Sequence, residues 1–272
     1  MKNLCKIPLN SIGLTADGAD IPDPQQLIYY QTGNKNCEVY LPHPKKVIDV
    51  TCLDCGSRKG SVIFKKGKKI LWVCHDCVIE KPSQKNKIEI QKVFLQSYGV
   101  DVEHSNCNLQ DCHQEQNRKN IFKEFAQNPN CMMLFAGTNG VGKTYASCAI
   151  IHEYLKSGRQ NCRFAKAGNL YLEWIKDKQE GNGDLNFIDK YSDYDLLVID
   201  DLSGRTPTEA YLDIFYLMID NRHGKKLGTL ISSNLCSADI SKKYGDAIFS
   251  RITSGKLCKF DGKDKRVNLA FF

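Results

Sequence analysis

Apolar residues in the second half of the chain form short continuous runs that alternate with stretches of helical spacing. Two runs, Cys131–Ala136 and Asp195–Asp201, have the length and composition of strands that are buried on both faces of a parallel sheet. Apolar residues three and four positions apart predict helices at Tyr145–Tyr154, Gly168–Lys178 and Thr208–Asn221. Strands that alternate with helices in this way predict an α/β fold.

The same patterns predict the remaining elements. Strands are expected at residues 162–166, 227–233 and 257–260, and helices at 116–127 and 246–254. The first 50 residues contain five prolines, among them Pro22, Pro24, Pro42 and Pro44, which disfavour long helices. A short helix is expected at Asp23–Thr32.

A phosphate-binding loop joins the first buried run to its helix. Residues Gly137–Thr144 follow the pattern G-x-x-x-x-G-K-[ST]. Glycines let backbone N–H groups approach a polyphosphate, Lys143 would reach its β- and γ-phosphates, and Thr144 would ligate Mg²⁺. A plain glycine-rich turn is the alternative, which the order of strand, loop, Lys-Thr and helix disfavours. The predicted ATP-binding residues are Gly137, Thr138, Asn139, Gly140, Val141, Gly142, Lys143, Thr144 and Tyr145.

Four further positions suggest hydrolysis rather than binding alone. The second buried run ends in Asp200, placed to hold Mg²⁺ together with Thr144, and Asp201, placed to orient or deprotonate the attacking water. An acidic exit from a buried strand is the alternative reading of this segment alone. Asn234 follows a predicted strand and can bond to the water or the γ-phosphate. Arg251, on a predicted short helix, is a candidate to reach a neighbouring subunit's γ-phosphate. The predicted catalytic residues are Lys143, Asp200, Asp201, Asn234 and Arg251.

Two C-x-x-C pairs lie in the first third of the chain, with 18 residues between them. Cysteine pairs at this spacing can hold a tetrahedral Zn²⁺. The segments Ser61–Lys65 and Lys69–Val73 between them predict the strands of a hairpin, so the region about 50–80 is interpreted as a zinc ribbon. Two disulfides or redox dithiols are the alternative. The predicted zinc ligands are Cys52, Cys55, Cys74 and Cys77.

A weaker group of zinc-type side chains follows the ribbon. Its spacing matches no common zinc knuckle, so linker or packing residues are the first interpretation and a second metal site the alternative. Its members are His104, Cys107, Cys112 and His113.

Composition adds less than the motifs do. Residues 58–92 contain ten basic and three acidic side chains, so the charge of this stretch alone equals the net charge of +7 of the whole chain. This basic stretch could hold a nucleic-acid backbone or could simply be solvated. No apolar run is long enough to span a bilayer, and the first residues lack the apolar core of a signal peptide, so a cytoplasmic protein without a membrane partner is expected.

Together these motifs resemble the DnaC/DnaI family of replicative helicase loaders, AAA+ ATPases with IstB-type relatives. The resemblance covers about residues 105–270. It rests on I-D-D-L at Ile199–Leu202, P-T-E at Pro207–Glu209, S-N-L at Ser233–Leu235, S-R-I at Ser250–Ile252 and F-x-G-x-D-x-R at Phe260–Arg266. Departures are Ser203 where the family usually has glycine, Ser232 where it has threonine, and Lys265 where it tends to have an aromatic residue.

The resemblance implies an AAA+ P-loop parallel sheet flanked by helices, preceded by a small zinc-ribbon domain. Residues 1–100 would bind a DnaB-type hexameric helicase, 101–115 would form a linker, and 116–272 would bind ATP and single-stranded DNA. About twenty residues after Arg251 are too few for the helical lid of many AAA+ proteins, which favours a homo-oligomer. Two other functions are considered: an IstB-like ATPase that assists a transposase, and a zinc-ribbon nucleic-acid-binding regulator with an ATPase switch.

Overall fold

The computed structural model describes residues 95–202, 207–262 and 264 in full, together with the backbone of five strands between residues 27 and 74. The chain divides into two compact units. One comprises Met1–Asn106 with Tyr154–Asn161, and the other Cys107–Glu153 with Cys162–Phe272. Within the described residues, each unit contains one five-stranded sheet.

The first unit contains an antiparallel sheet. Its strands are β1 (Leu27–Gln31), β2 (Cys37–Pro42), β3 (Ile48–Asp49), β4 (Lys59–Lys66) and β5 (Lys69–Cys74). They are arranged in the order β1-β2-β4-β3, and β5 pairs with β4. The hairpin predicted from the sequence is confirmed as β4 and β5.

The helix expected at Asp23–Thr32 is wrong, because Leu27–Gln31 is strand β1. It pairs with β2 in an antiparallel register that sets Leu27 opposite Pro42. Its sequence, Leu-Ile-Tyr-Tyr-Gln, is rich in residues that suit a pleated surface. The pairing partner six residues further along the chain therefore determines the structure of this segment.

The second unit contains a parallel sheet that carries the predicted nucleotide site. Its strands are β6 (Met132–Gly137), β7 (Cys162–Lys166), β8 (Leu196–Asp200), β9 (Gly228–Ser233) and β10 (Lys256–Phe260). The order is β10-β6-β9-β8-β7, and all four neighbouring pairs are parallel. Every residue of β8 and β9 is buried. The continuous apolar run of β8 predicts this, whereas β9 (Gly-Thr-Leu-Ile-Ser-Ser) also buries small polar residues.

Helices flank this sheet, which confirms the predicted fold class. They are α1 (Gln116–Gln127), α2 (Lys143–Lys156), α3 (Ala167–Gln179), α4 (Gly183–Ser192), α5 (Glu209–Gly224), α6 (Ser237–Tyr244) and α7 (Asp246–Ile252). The helices predicted for this second unit are all present, with small differences at their ends. Helices α4 and α6 were not predicted, since each is short and its apolar residues are few.

A buried arginine fixes the end of α5 to the sheet. Arg222 is fully buried, and its guanidinium donates to Thr229 Oγ1 and to the carbonyl oxygens of Tyr191, Tyr194 and Gly228 at 2.6 to 2.9 Å. Burial lowers its pKa to about 9, so it keeps its charge at neutral pH. The role of this arginine is therefore structural.

Among the residues that the structure describes, no helix is long and apolar enough to cross a membrane.

Candidate functional site

The predicted phosphate-binding loop connects β6 to the first turn of α2, as its sequence requires. Gly140 and Gly142 have φ angles of +71° and +96°, in the left-handed region that favours glycine. At Gly137 the reason for glycine is packing, because a Cβ there would lie 2.2 Å from the carbonyl oxygen of Phe260 in β10. The loop therefore presents backbone at the N-terminus of a helix, where anions bind.

The loop also contacts a residue from the C-terminal motif. A Cβ at Gly140 would lie 1.6 Å from the nearer carboxylate oxygen of Asp264, so this acid packs directly against the loop. Sequence reasoning assigned no role to Asp264. The only available signal was its place in the F-x-G-x-D-x-R motif.

Lys143 is held over the loop by the loop's own backbone. Its Nζ donates to the carbonyl oxygens of Gly137 and Thr138, both at 2.6 Å, and the residue is largely buried. An ammonium group fixed at this point can neutralise the charge of a bound polyphosphate.

The two predicted Mg²⁺ ligands are brought together although 56 residues separate them. Thr144 Oγ1 donates to Asp200 Oδ2 at 2.9 Å, and Asp200 is buried at the end of β8. A hydroxyl and a carboxylate oxygen are hard donors of the type that Mg²⁺ prefers. The residues at this point therefore fit the ion.

Asp201 follows Asp200 in an unusual backbone conformation. Its φ is +59°, which is rare for residues other than glycine. Its N–H donates to Ser232 Oγ at 3.0 Å, whereas its side chain is exposed. Its negative charge is also felt by Tyr244, because burial and then the proximity of Asp201 raise the pKa of that phenol to about 12. The carboxylate is therefore accessible beside the predicted Mg²⁺ ligands.

Asn234 lies directly against the phosphate-binding loop. Its Nδ2 donates to Asn139 Oδ1 at 3.0 Å, which joins the end of β9 to the loop after β6. An amide at this point can respond to whatever the loop binds. The sequence identified both residues but did not predict their contact.

Arg251 has partners of a different kind. Its Nε donates to Asp220 Oδ1 at 2.7 Å, and about a third of its side chain is exposed. Hydrogen bonding to Asp220 and the charge of that residue raise the pKa of Arg251, and Tyr216 contributes a further bond. The structure therefore pairs Arg251, on α7, with α5 of its own chain.

Comparison with known proteins identifies the family. A model of the family described as IstB-like ATP binding protein matches residues 83–257. The chain belongs to this family. It is an ATP-binding protein, and the resemblance drawn from the sequence motifs is confirmed.

Relatives of this IstB-like protein include replicative helicase loaders. The replicative helicase loader DnaC of Escherichia coli is 23% identical over 203 residues, which are 71% of this chain and 82% of the relative. DnaC of Buchnera aphidicola is 25% identical over 182 residues, 63% of this chain and 73% of the relative.

Solved structures agree on the fold. A crystal structure of the DnaC helicase loader has a TM-score of 0.52 and 24% identity, covering 58% of this chain and 99% of that one. AMPPCP-bound DnaA of Aquifex aeolicus also gives 0.52, at 19% identity, covering 58% of this chain and 51% of that one. At these identities the likeness establishes the AAA+ fold of the parallel sheet.

The predicted zinc ligands of this IstB-like protein stay a prediction. Cys52, Cys55 and Cys77 lie outside the described residues, and Cys74 is described only through its backbone, as the last residue of β5.

The weaker group of zinc-type residues contains two buried cysteines that form no disulfide, Cys107 and Cys112. In the described part of the second unit, these thiols and His113 do not gather as three metal ligands. Packing is therefore the better interpretation of the two cysteines. In the first unit, Asp101, Glu103 and His104 do place ligand atoms within 4.8 Å of one another. Asp101 precedes the short 3-10 helix Val102–His104 as its N-cap, and Glu103 is exposed.

A groove of about 450 Å³ opens beside the carboxyl ends of β7 and β8. Three tyrosines, Tyr171, Tyr211 and Tyr244, line it together with Leu172, of which 62% is exposed. The rings of Tyr171 and Tyr211 meet edge to face, 5.1 Å apart. Aromatic walls of this kind can stack flat ligands.

Proposed function

We propose that this protein hydrolyses ATP in order to load a DnaB-type replicative helicase onto single-stranded DNA. The main support is two hydrogen bonds at one end of the parallel sheet, which join Thr144 to Asp200 and Asn234 to Asn139. Such an arrangement suits hydrolysis, and the relatives matched over most of their length are named replicative helicase loaders.

Each residue at this end of the sheet has a proposed task. Lys143 neutralises the β- and γ-phosphates, and Thr144 and Asp200 hold Mg²⁺, which screens charge on the phosphates. Asp201 orients the attacking water and accepts its proton, for which its accessible carboxylate is suited. Asn234 bonds to the water or the γ-phosphate, so that the end of β9 responds to a bound nucleotide.

Arg251 is proposed to serve the nucleotide of a neighbouring subunit in a homo-oligomer. It is partly exposed, its guanidinium is held through Nε by Asp220, and its helix is anchored by the buried Ile248 and Ile252. A cation in this position can meet the charge that develops on the γ-phosphate in the transition state.

The remaining partners are assigned by region. Residues 1–100, with the proposed zinc ribbon, would bind the helicase, and 116–272 would form the ATPase domain. Single-stranded DNA is proposed to lie near the tyrosine-lined groove, because bases stack on aromatic side chains in a sequence-tolerant way.

Co-purification tests this function against its alternatives. The full-length protein is mixed with a DnaB-type helicase, with and without ATP, and helicase transfer to circular single-stranded DNA is measured. A loader retains the helicase and transfers it only when ATP is present. Retention of a transposase, or of DNA alone, would instead favour the transposase-assisting ATPase or the zinc-ribbon regulator.

A further inference from the structure

One buried hydroxyl touches both acids of the proposed hydrolytic site. Ser232, on β9, is 1% exposed. Its Oγ donates to Asp200 Oδ1 at 2.5 Å and accepts the N–H of Asp201 at 3.0 Å. A single side chain thus connects the proposed Mg²⁺ ligand with the backbone of the proposed base.

The bond to Asp200 fixes the orientation of its carboxylate. Thr144 donates to Oδ2 and Ser232 donates to Oδ1, so each oxygen has its own donor. Two donors on opposite oxygens hold the plane of the carboxylate in one orientation. Hydrogen bonds of this type, behind a metal ligand, commonly set how well that ligand works.

The bond from Asp201 supports a strained backbone. The residue has a φ of +59°, and such conformations persist only when the surroundings hold them. Here the surroundings are β9: Ser232 Oγ accepts from Asp201 N–H, the Ser232 carbonyl accepts from Leu202 N–H at 2.7 Å, and Ser233 Oγ donates to the Leu202 carbonyl at 2.6 Å. Asp201 and Leu202 are therefore attached to β9 by three hydrogen bonds, through the N–H of Asp201 and through the N–H and the carbonyl oxygen of Leu202.

We propose that Ser232 is a positioning residue for ATP hydrolysis, which orients Asp200 and Asp201 together through its hydroxyl. The inference rests on the proposed hydrolysis at this site and adds a residue to it. Because Asn234 directly follows β9, two residues after Ser232, and contacts the phosphate-binding loop, β9 and its C-terminal end link the loop to both acids. The hydroxyl is required because it donates to the carboxylate of Asp200 and accepts from the backbone N–H of Asp201.

Ser232→Thr and Ser232→Val form a matched pair, since threonine and valine have nearly the same shape and only threonine keeps the hydroxyl. We expect Ser232→Thr to keep a kcat close to that of the wild-type protein. Ser232→Val should lower kcat by about 10- to 100-fold and raise the Mg²⁺ concentration for half-maximal hydrolysis by about 10-fold. Binding of a fluorescent ATP analogue without Mg²⁺ should be the same in both, because neither substitution touches the phosphate-binding loop.

The outcomes separate this inference from the function on which it rests. Equal kcat and equal Mg²⁺ dependence in Ser232→Thr and Ser232→Val would overturn the role of the hydroxyl while leaving hydrolysis intact. A wild-type protein that binds ATP but does not hydrolyse it would instead overturn the proposed function. If Ser232→Val does not fold, as judged by thermal unfolding, Ser232→Ala removes the hydroxyl without added volume and is expected to show the same loss.

Discussion

Adjacent acidic residues at the end of β8 are held in different environments, which is why different tasks can be assigned to them. Asp200 is buried and accepts hydrogen bonds at both oxygens, as a fixed cation ligand would. Asp201 is exposed and turned by its left-handed backbone. A fixed carboxylate is suited to hold an ion, and an accessible one to take a proton from water.

Asp201→Asn tests this division at the level of one residue. The substitution keeps the size of the side chain but removes the proton acceptor, so kcat should fall by about 10²- to 10⁴-fold while ATP affinity stays unchanged. Hydrolysis is followed by phosphate release and binding by a fluorescent ATP analogue. Lys143→Ala is the control, because it should lose binding and turnover together. A wild-type kcat in Asp201→Asn would show that another group takes the proton.

A charged cluster around Glu173 connects β7, the edge strand opposite β10, with helices α3 and α4. This residue of α3 lies 3.0 Å from Lys190 Nζ on α4 and 3.7 Å from Arg163 on β7, and Tyr191 donates to it. Burial favours a higher pKa for Glu173, but the bond from Tyr191 and the charge of Lys190 outweigh it and lower the pKa. The cluster therefore stabilises the folded protein while Glu173 is charged.

Glu173→Gln should destabilise the protein in a pH-dependent way. Because the folded-state pKa is depressed, its stabilising effect is complete above the unfolded-state pKa of about 4.3 and is lost as the pH falls through the folded-state value. We expect a loss of about 1 kcal/mol in the free energy of unfolding at pH 7, and progressively less below pH 4. Urea denaturation at several pH values measures it. Glu180→Gln is the control, since Glu180 forms a more exposed pair with Lys176 and should have little effect. A pH-independent difference would exclude the charge as its cause.

Most elements of the second unit could be predicted because each is defined by a local pattern, such as the run Leu196–Ile199 or the Gly-Lys-Thr at the start of α2. The strand at Leu27–Gln31 could not, since its structure depends on its pairing with β2. The proximity of Thr144 and Asp200 was predicted from their motifs, but other long-range contacts were beyond prediction for a similar reason. Ser232 bonds to residues about thirty positions away in the sequence, and Asp220 lies about as far from its partner Arg251. No local pattern encodes such a pairing.

The whole molecule combines a unit with an antiparallel sheet and a unit with the ATP site. The first is proposed to depend on zinc, and the second forms its own core around residues such as Phe215 and Ile231. A small ribbon derives much of its folding free energy from its metal, whereas a buried parallel sheet does not. The two should therefore respond differently to loss of zinc.

Cys74→Ser tests the zinc site. The purified wild-type protein should contain about one Zn²⁺ per chain, and the variant should lose it, because a tetrahedral structural site needs all four ligands. Metal content is measured by mass spectrometry. ATP binding should persist in the variant, since its residues lie after 115. Cys258→Ser is the control. It alters a buried thiol of β10 in the parallel sheet and should keep its zinc. Full zinc occupancy in a variant lacking Cys52, Cys55, Cys74 and Cys77 would refute the ribbon.

Assembly is tested by combining two inactive variants. Arg251→Ala should bind ATP normally yet hydrolyse it about 10³- to 10⁵-fold more slowly, because the cation that meets the transition-state charge is missing. Lys143→Ala should not bind ATP, but it keeps Arg251. In a mixture, an intact site of the first variant can meet an intact arginine of the second, so part of the activity should return in a phosphate-release assay.

The control replaces Lys143→Ala with the double variant Lys143→Ala/Arg251→Ala, which offers no arginine and should restore nothing. If neither mixture is active at concentrations where the wild-type protein hydrolyses ATP, Arg251 does not act across a subunit boundary, and its pairing with Asp220 is structural.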